Sequence, residues 1–283
     1  MGASHRLARR FLRKVPRMTN PWIISLSALF IWWFSTGAIL WRVKTADNGT
    51  ATAHSMSVLL GLPLLIGGFA GLHSSLDDAS VKGVYLAFVS SLAIWGWIEL
   101  AFLSGIITGP NTRPLPPGTS GWDRFLCAFG TVAWHELLLA AAIIVIAKVS
   151  VSELNQFGLW TFGVLFFARI SAKLNLFFGV PRIHTEFLPK PLSHLASHFR
   201  HAAMNWVFPF SVTLLTFAAG CWMERATNAT GGMFVGYILL SALTLLALLE
   251  HWFMVLPLPD EKLFRWLLPA PKQPSDKILT VRK

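Results

Sequence analysis

The feature that most limits this chain is a set of seven long apolar runs, at roughly Trp22–Trp41, Met56–Leu72, Val84–Thr108, Phe125–Ala147, Phe157–Ala172, Trp206–Met223 and Met233–Leu256. A helix needs about 20 apolar residues, in a range of ~17–25, to cross the hydrocarbon core of a bilayer. Five of the runs meet that length or come near it. The second has only 17 residues and carries Gly61, Pro63, Gly67 and Gly68. The fifth has 16, unless it continues through Arg169 and Lys173 to Gly179. Backbone amides cannot go unpaired in lipid, so true spans are helical unless strands close into a barrel. No alternating strand pattern competes here. The reading is an all-α, polytopic helical membrane bundle with seven hydrophobic segments, in a range of six to eight crossings. One transmembrane domain covers residues 21–258, between a basic tail (1–20) and an interfacial or disordered basic tail (259–283).

Composition agrees with the runs. Charged residues make up 13 % of the chain, about half the usual ~25 % and too few to coat a soluble domain of this size. The net charge of +11 invites nucleic acid as a partner, but its placement points elsewhere. Of 24 Lys and Arg, six precede Pro21 and six follow Leu256. Juxtamembrane basic clusters are held by anionic lipid at about 1 kcal/mol per charge. A nucleic-acid footprint needs a folded basic face and a recognisable module, and the sequence has none. Anionic lipid is the expected partner. Cys127 and Cys221 lie inside apolar runs without metal or disulfide spacing.

Charge and hydropathy disagree about crossings. Seven crossings divide the basic residues 9 to 15 and put the two rich tails on opposite sides. Six crossings, reached by dropping the second run or letting the fifth dip and return, divide them 19 to 5. The positive-inside tendency prefers the second division. Loops are turn-rich: Gly109 through Gly118 carries Pro110, Pro114, Pro116 and Pro117, which no helix tolerates.

Ionisable groups within spans are costly and mark functional sites by default. Here they are Glu99, His135, Glu136, Arg169, Lys173, Glu250 and His251. Carboxylates and imidazoles on facing helices build bundle metal sites, so Glu99, His135, Glu136, Glu250 and His251 form one candidate set for a transition metal. Neighbouring Glu and His diverge by about 100° on a helix, so each pair sends only one side chain toward a given point. Arg169 and Lys173, one turn apart, are alternatively the structural ion-pair partners of the three glutamates. A third reading has His135 or His251 ligating the central magnesium of a chlorophyll-type ring. Glu99, Glu136 and Glu250 are expected to point inward toward a shared polar centre. His194, His198 and His201 fall at i, i+4 and i+7, on one face if that segment is α-helical. An interfacial amphipathic helix predicts the same spacing.

Several longer strings resemble one family. They are Trp32-Trp33-Phe34-Ser35-Thr36-Gly37, Ile94-Trp95-Gly96-Trp97-Ile98-Glu99, Trp134-His135-Glu136, Phe166-Phe167-Ala168-Arg169-Ile170-Ser171-Ala172-Lys173-Leu174-Asn175, and Leu249-Glu250-His251-Trp252 through Pro259. Together they are similar to the photosynthetic complex assembly protein 2 family of purple phototrophic bacteria, from about Pro21 to Pro271. The resemblance implies a multi-pass protein of the bacterial inner, photosynthetic membrane. It further implies assistance to assembly of, or pigment supply to, the reaction centre and core antenna, with their subunits or pigment-synthesis enzymes as partners. Bacteriochlorophyll or a precursor is the cofactor it suggests. It supplies no catalytic residues. The alternative from the residues is a metal-dependent membrane oxidoreductase acting on a tetrapyrrole, quinone or carotenoid.

Overall fold

The computed structural model describes residues 19–257; every basic residue of the two tails lies outside them. Among the described residues, eight α-helices follow one another: α1 (Pro21–Asp47), α2 (Ala53–Ser75), α3 (Val81–Leu103), α4 (Gly121–Gly130), α5 (Ala133–Ser150), α6 (Phe157–Phe178), α7 (Val207–Thr227) and α8 (Gly231–Phe253). All but α4 are long and apolar enough to cross a membrane. The chain is a multi-pass helical membrane protein.

Local chemistry sets the helix ends. The Asn20 side chain accepts from the Trp22 amide at 3.0 Å and Pro21 opens α1, since proline lacks a hydrogen that the first turn could not use. Ser80 caps α3 through the Gly83 amide. At Gly179 the chain turns at φ 123°, where a Cβ would stand 2.7 Å from that of Ala202. That stop lies beyond Lys173, so the short fifth run does continue, over 22 residues.

Consecutive long helices alternate in direction. One end of the bundle gathers the last turns of α1, α3, α6 and α8 with the first turns of α2, α5 and α7. There Lys190 meets Asp47, and the Arg182 amide donates to the Met254 carbonyl at 3.1 Å. At the other end Asn155 reaches the Leu76 and Asp78 carbonyls. The alternation is that of seven crossings; the twelve tail residues that weigh in the charge division lie outside the described residues.

Helix α3 is the axis, packed against α1, α2, α5, α6 and α8. One core cluster joins Ile24, Ala28, Val84, Phe88 and Leu239; another joins Leu72, Ile94, Ile98, Leu139, Ile146 and Phe162. In lipid the apolar effect does not drive helices together, so close van der Waals contact and hydrogen bonds must. The α2–α3 seam has both. Gly68 lets the backbones touch, for a Cβ there would lie 3.0 Å from the Ser90 carbonyl oxygen. The Trp97 indole donates across the seam to the Val58 carbonyl at 3.0 Å.

Three expectations are corrected. The fourth apolar run is not one helix: it divides into α4 and α5 at Thr131 and Val132. The loop before it enters the break, where the Asn111 amide donates to the Gly130 carbonyl and the His135 amide to the Thr108 carbonyl. The third run likewise stops at Leu103, not Thr108. The histidine segment is a 3-10 helix over Lys190–His198, with three residues per turn. Its buried stripe is Leu192, Leu195 and His198, at that period, so His194 and His198 do not share a face and His201 lies beyond the helix.

Candidate functional site

Four helices bring their charges to one layer near the loop-rich end of the bundle. Glu99 sits four residues before the end of α3, Lys173 five before the end of α6, Glu136 three after the start of α5, and Glu250 three before the end of α8. At 1.5 Å per residue, that places them roughly 4–8 Å inside the helix ends. A charge at such depth needs a partner. The Arg169 guanidinium donates through Nη2 to Glu99 Oε2 at 2.7 Å. The Lys173 ammonium donates to Glu136 Oε1 and stands 3.0 Å from His135 Nδ1. An ammonium only donates, so Nδ1 accepts and the neutral ring carries its hydrogen on Nε2. That nitrogen faces Glu99 Oε1 at 3.6 Å. Phe102 closes the group, its ring centroid 4.3 Å from that of His135 and 5.0 Å from the Lys173 nitrogen.

Beside this layer lies a cavity of about 760 Å³, within the ~300–1,000 Å³ of sites that hold small molecules. Trp32, Trp95, Phe102, Phe125 and Phe129 contribute aromatic wall. Glu99, Glu136, Glu250, Arg169, Lys173 and Arg182 contribute charge to its lining. The three carboxylates therefore face one space, but they differ in partners. Glu99 and Glu136 are held by cations, whereas Glu250 is exposed on the cavity side.

The two imidazoles stand elsewhere. His135 is fully buried and His251 is 1 % exposed, and neither lines the cavity. His251 Nδ1 lies 2.8 Å from the Ala247 carbonyl and Nε2 2.8 Å from the Ser171 hydroxyl. The hydroxyl continues to Ser211 at 2.7 Å, and Asn175 reaches Ser211 at 3.0 Å. This is a polar seam joining α6, α7 and α8. Among the described residues, no three His, Cys, Asp or Glu side chains group as metal ligands. The expected five-residue set divides instead into Glu99, His135 and Glu136 in the charged layer, Glu250 on the cavity, and His251 in the seam.

The cavity has a roof that the sequence did not announce. Helix α4 supplies Phe125, Ala128 and Phe129 to its lining, and the 180–205 segment supplies Leu192, Leu195 and His198. Arg124 joins them, donating to the Phe177 and His198 carbonyls at 2.8 and 3.0 Å while its guanidinium lies 4.0 Å from the Phe177 ring centre. Burial, then the charge of Arg200, lowers the hold of Arg124 on its proton relative to a free guanidinium, although such a group stays charged. Lys190 anchors the segment to α1 through the Asp47 carboxylate and carbonyl. Ser171 and Asn175, four apart on an apolar helix, were the signal for the seam; the roof had none.

Comparison with known proteins now bears on this geometry. An uncharacterized 30.4 kDa protein in the puhA 5′ region of Rhodobacter capsulatus is 59 % identical over 262 residues, covering 92 % of this chain and 96 % of that protein. No solved structure matches. The family described as "Protein of unknown function (DUF3623)" matches residues 18–275, spanning every helix described above. The chain belongs to the DUF3623 family.

Proposed function

We propose that the protein is a membrane-embedded factor that assists assembly of, or pigment supply to, the photosynthetic reaction centre and core antenna in the bacterial inner membrane. The observation that carries this reading is the cavity: about 760 Å³, walled largely by tryptophan, phenylalanine and aliphatic side chains, with a few charged groups in its lining. An apolar space with a few polar groups is how proteins hold flat, mostly apolar molecules in one orientation. The relative's position in the puhA 5′ region, in a photosynthesis gene cluster, supports a pigment as the occupant. The oxidoreductase alternative would need Glu99 and Glu136 to release Arg169 and Lys173 before ligating a metal. That exchange leaves two cations stranded, and it favours binding over redox chemistry.

The test is a clean deletion strain, read by absorption of intact membranes. Assembled reaction centre and core antenna fall, or their pigment falls, while growth without light is spared. Normal complex levels in the deletion strain overturn the proposal.

A further inference from the structure

Three carboxylates line the cavity, and two are spoken for. Glu99 and Glu136 are neutralised by Arg169 and Lys173. Glu250, on the same wall, makes no hydrogen bond or ion pair with any described residue. A bare carboxylate against aromatic walls is a costly group, and the cost is removed by a ligand that offers it a hard cation or a donor. The cavity's own histidines, His184 and His198, come from the roof, with His184 Nδ1 3.0 Å from Glu186 and His198 Nε2 3.1 Å from the Arg113 carbonyl, and the imidazoles of the two Glu–His pairs offer no substitute. His251 has a partner at each ring nitrogen, and His135 is enclosed behind Phe102.

The geometry points to Glu250 as the axial ligand for the central magnesium of a chlorin-type pigment seated in this cavity. The inference rests on the pigment reading above and deepens it. Magnesium is a hard cation that prefers oxygen ligands. In a magnesium tetrapyrrole, four ring nitrogens fill the plane and balance the charge, leaving an axial position open. A Glu250 oxygen fills that position by forming one Mg–O bond and releasing the solvent or lipid oxygen that held it. Nothing is oxidised or reduced. The ring then rests against aromatic wall such as Trp32 and Trp95, where stacking and dispersion add to the metal bond. Helix geometry assigns the roles: Glu250 and His251 diverge by about 100°, so turning the carboxylate to the cavity turns the imidazole into the seam between α6, α7 and α8.

The consequence is selectivity for the metal. The full-length protein, purified in mild detergent, is titrated with bacteriochlorophyll a and separately with magnesium-free bacteriopheophytin a. Binding is read by the pigment absorption shift and by quenching of tryptophan fluorescence. The magnesium form is expected to bind at least about tenfold more tightly, which is ~1.4 kcal/mol. Glu250→Leu removes the preference and brings both pigments to the affinity of the free base. Glu250→Gln, of the same shape, weakens the preference several-fold and decides the matter if the leucine variant does not fold. Glu250→His restores it, because an imidazole is also an axial donor. Equal affinities in the unmodified protein, or a preference unchanged in both Glu250→Leu and Glu250→Gln, overturn the assignment and leave the pigment reading standing. Binding of neither pigment overturns both.

Discussion

Replacing Arg169 with leucine removes the cation that holds Glu99. Truncating one member of a buried ion pair costs about 3–5 kcal/mol, because the other charge stays behind. Two features of the site move the expectation to the low end. The Arg169 side chain is 33 % exposed, against 11 % for Glu99, so the pair is only partly desolvated. The freed carboxylate also has His135 Nε2 at 3.6 Å, close enough for a small shift to supply a donor. A cost of about 2–3 kcal/mol follows. For a chain of 283 residues, at an unfolding entropy of ~2.1 cal/mol/K per residue, that is roughly 3–5 °C in apparent melting temperature. The assay is thermal unfolding of detergent-purified protein followed by size-exclusion chromatography. Glu224→Gln, on the exposed far end of α7, serves as the control and stays within about 1 °C. A cycle isolates the interaction: Glu99→Gln/Arg169→Gln melts well above the sum of its single variants, because neither partner is left charged and alone. Arg169→Leu melting with the unmodified protein, or strict additivity in the cycle, refutes the pairing argument.

Two further outcomes follow from packing and protonation. Gly68→Ala puts a methyl group 2.8 Å from Ile94 Cγ1 and 3.0 Å from the Ser90 carbonyl oxygen, whereas Gly67→Ala meets nothing within 4 Å. Overpacking of about 1–3 kcal/mol lowers melting of the first, and the second stays level or rises; the reverse order refutes the seam. His194 holds its proton less tightly than a free imidazole, because burial and then the nearby His198 disfavour the charged ring. The unfolded segment therefore binds more protons, and the 180–205 roof loses stability as pH falls through the ordinary histidine range near 6.5. Limited proteolysis of that segment between pH 8 and 5 accelerates in the unmodified protein and less so in His194→Asn; equal slopes refute it.

The apolar runs made the fold class legible because a bilayer leaves few alternatives to a helix, and the seven segments each contain one long helix. What hydropathy missed was the break at Thr131. Phe125, Leu126 and Phe129 keep the run apolar on both sides of it, and only the approach of Asn111 and Thr108 from a distant loop reveals it. The site was partly legible for a different reason. Arg169 and Lys173 share a helix face, so their need for partners could be read from spacing, and the glutamates were the available acids. The division of labour within each Glu–His pair was also contained in the 100° between neighbours. Which member of the pair faces the cavity was not, since that depends on the rotation of α5 and α8 in the bundle. The histidines at 194, 198 and 201 fit an α-helical period, but the segment that opens at Pro189 and Pro191 is a 3-10 helix, in which that spacing no longer aligns side chains.

The order of the charges along the chain has a consequence for how the protein is made. Asp47 precedes Lys190 by 143 residues, Glu99 precedes Arg169 by 70, and Glu136 precedes Lys173 by 37. In each pair the acid leaves the ribosome first and its base follows. Helices α3 and α5 thus enter the membrane before the cations that will neutralise them exist, and a carboxylic acid can wait in that setting by keeping its proton, which a guanidinium cannot do by losing one. Insertion of α6 then neutralises two earlier helices at once. The wall that carries Glu250 comes last, with α8, so the cavity is completed only when the final helix is in place.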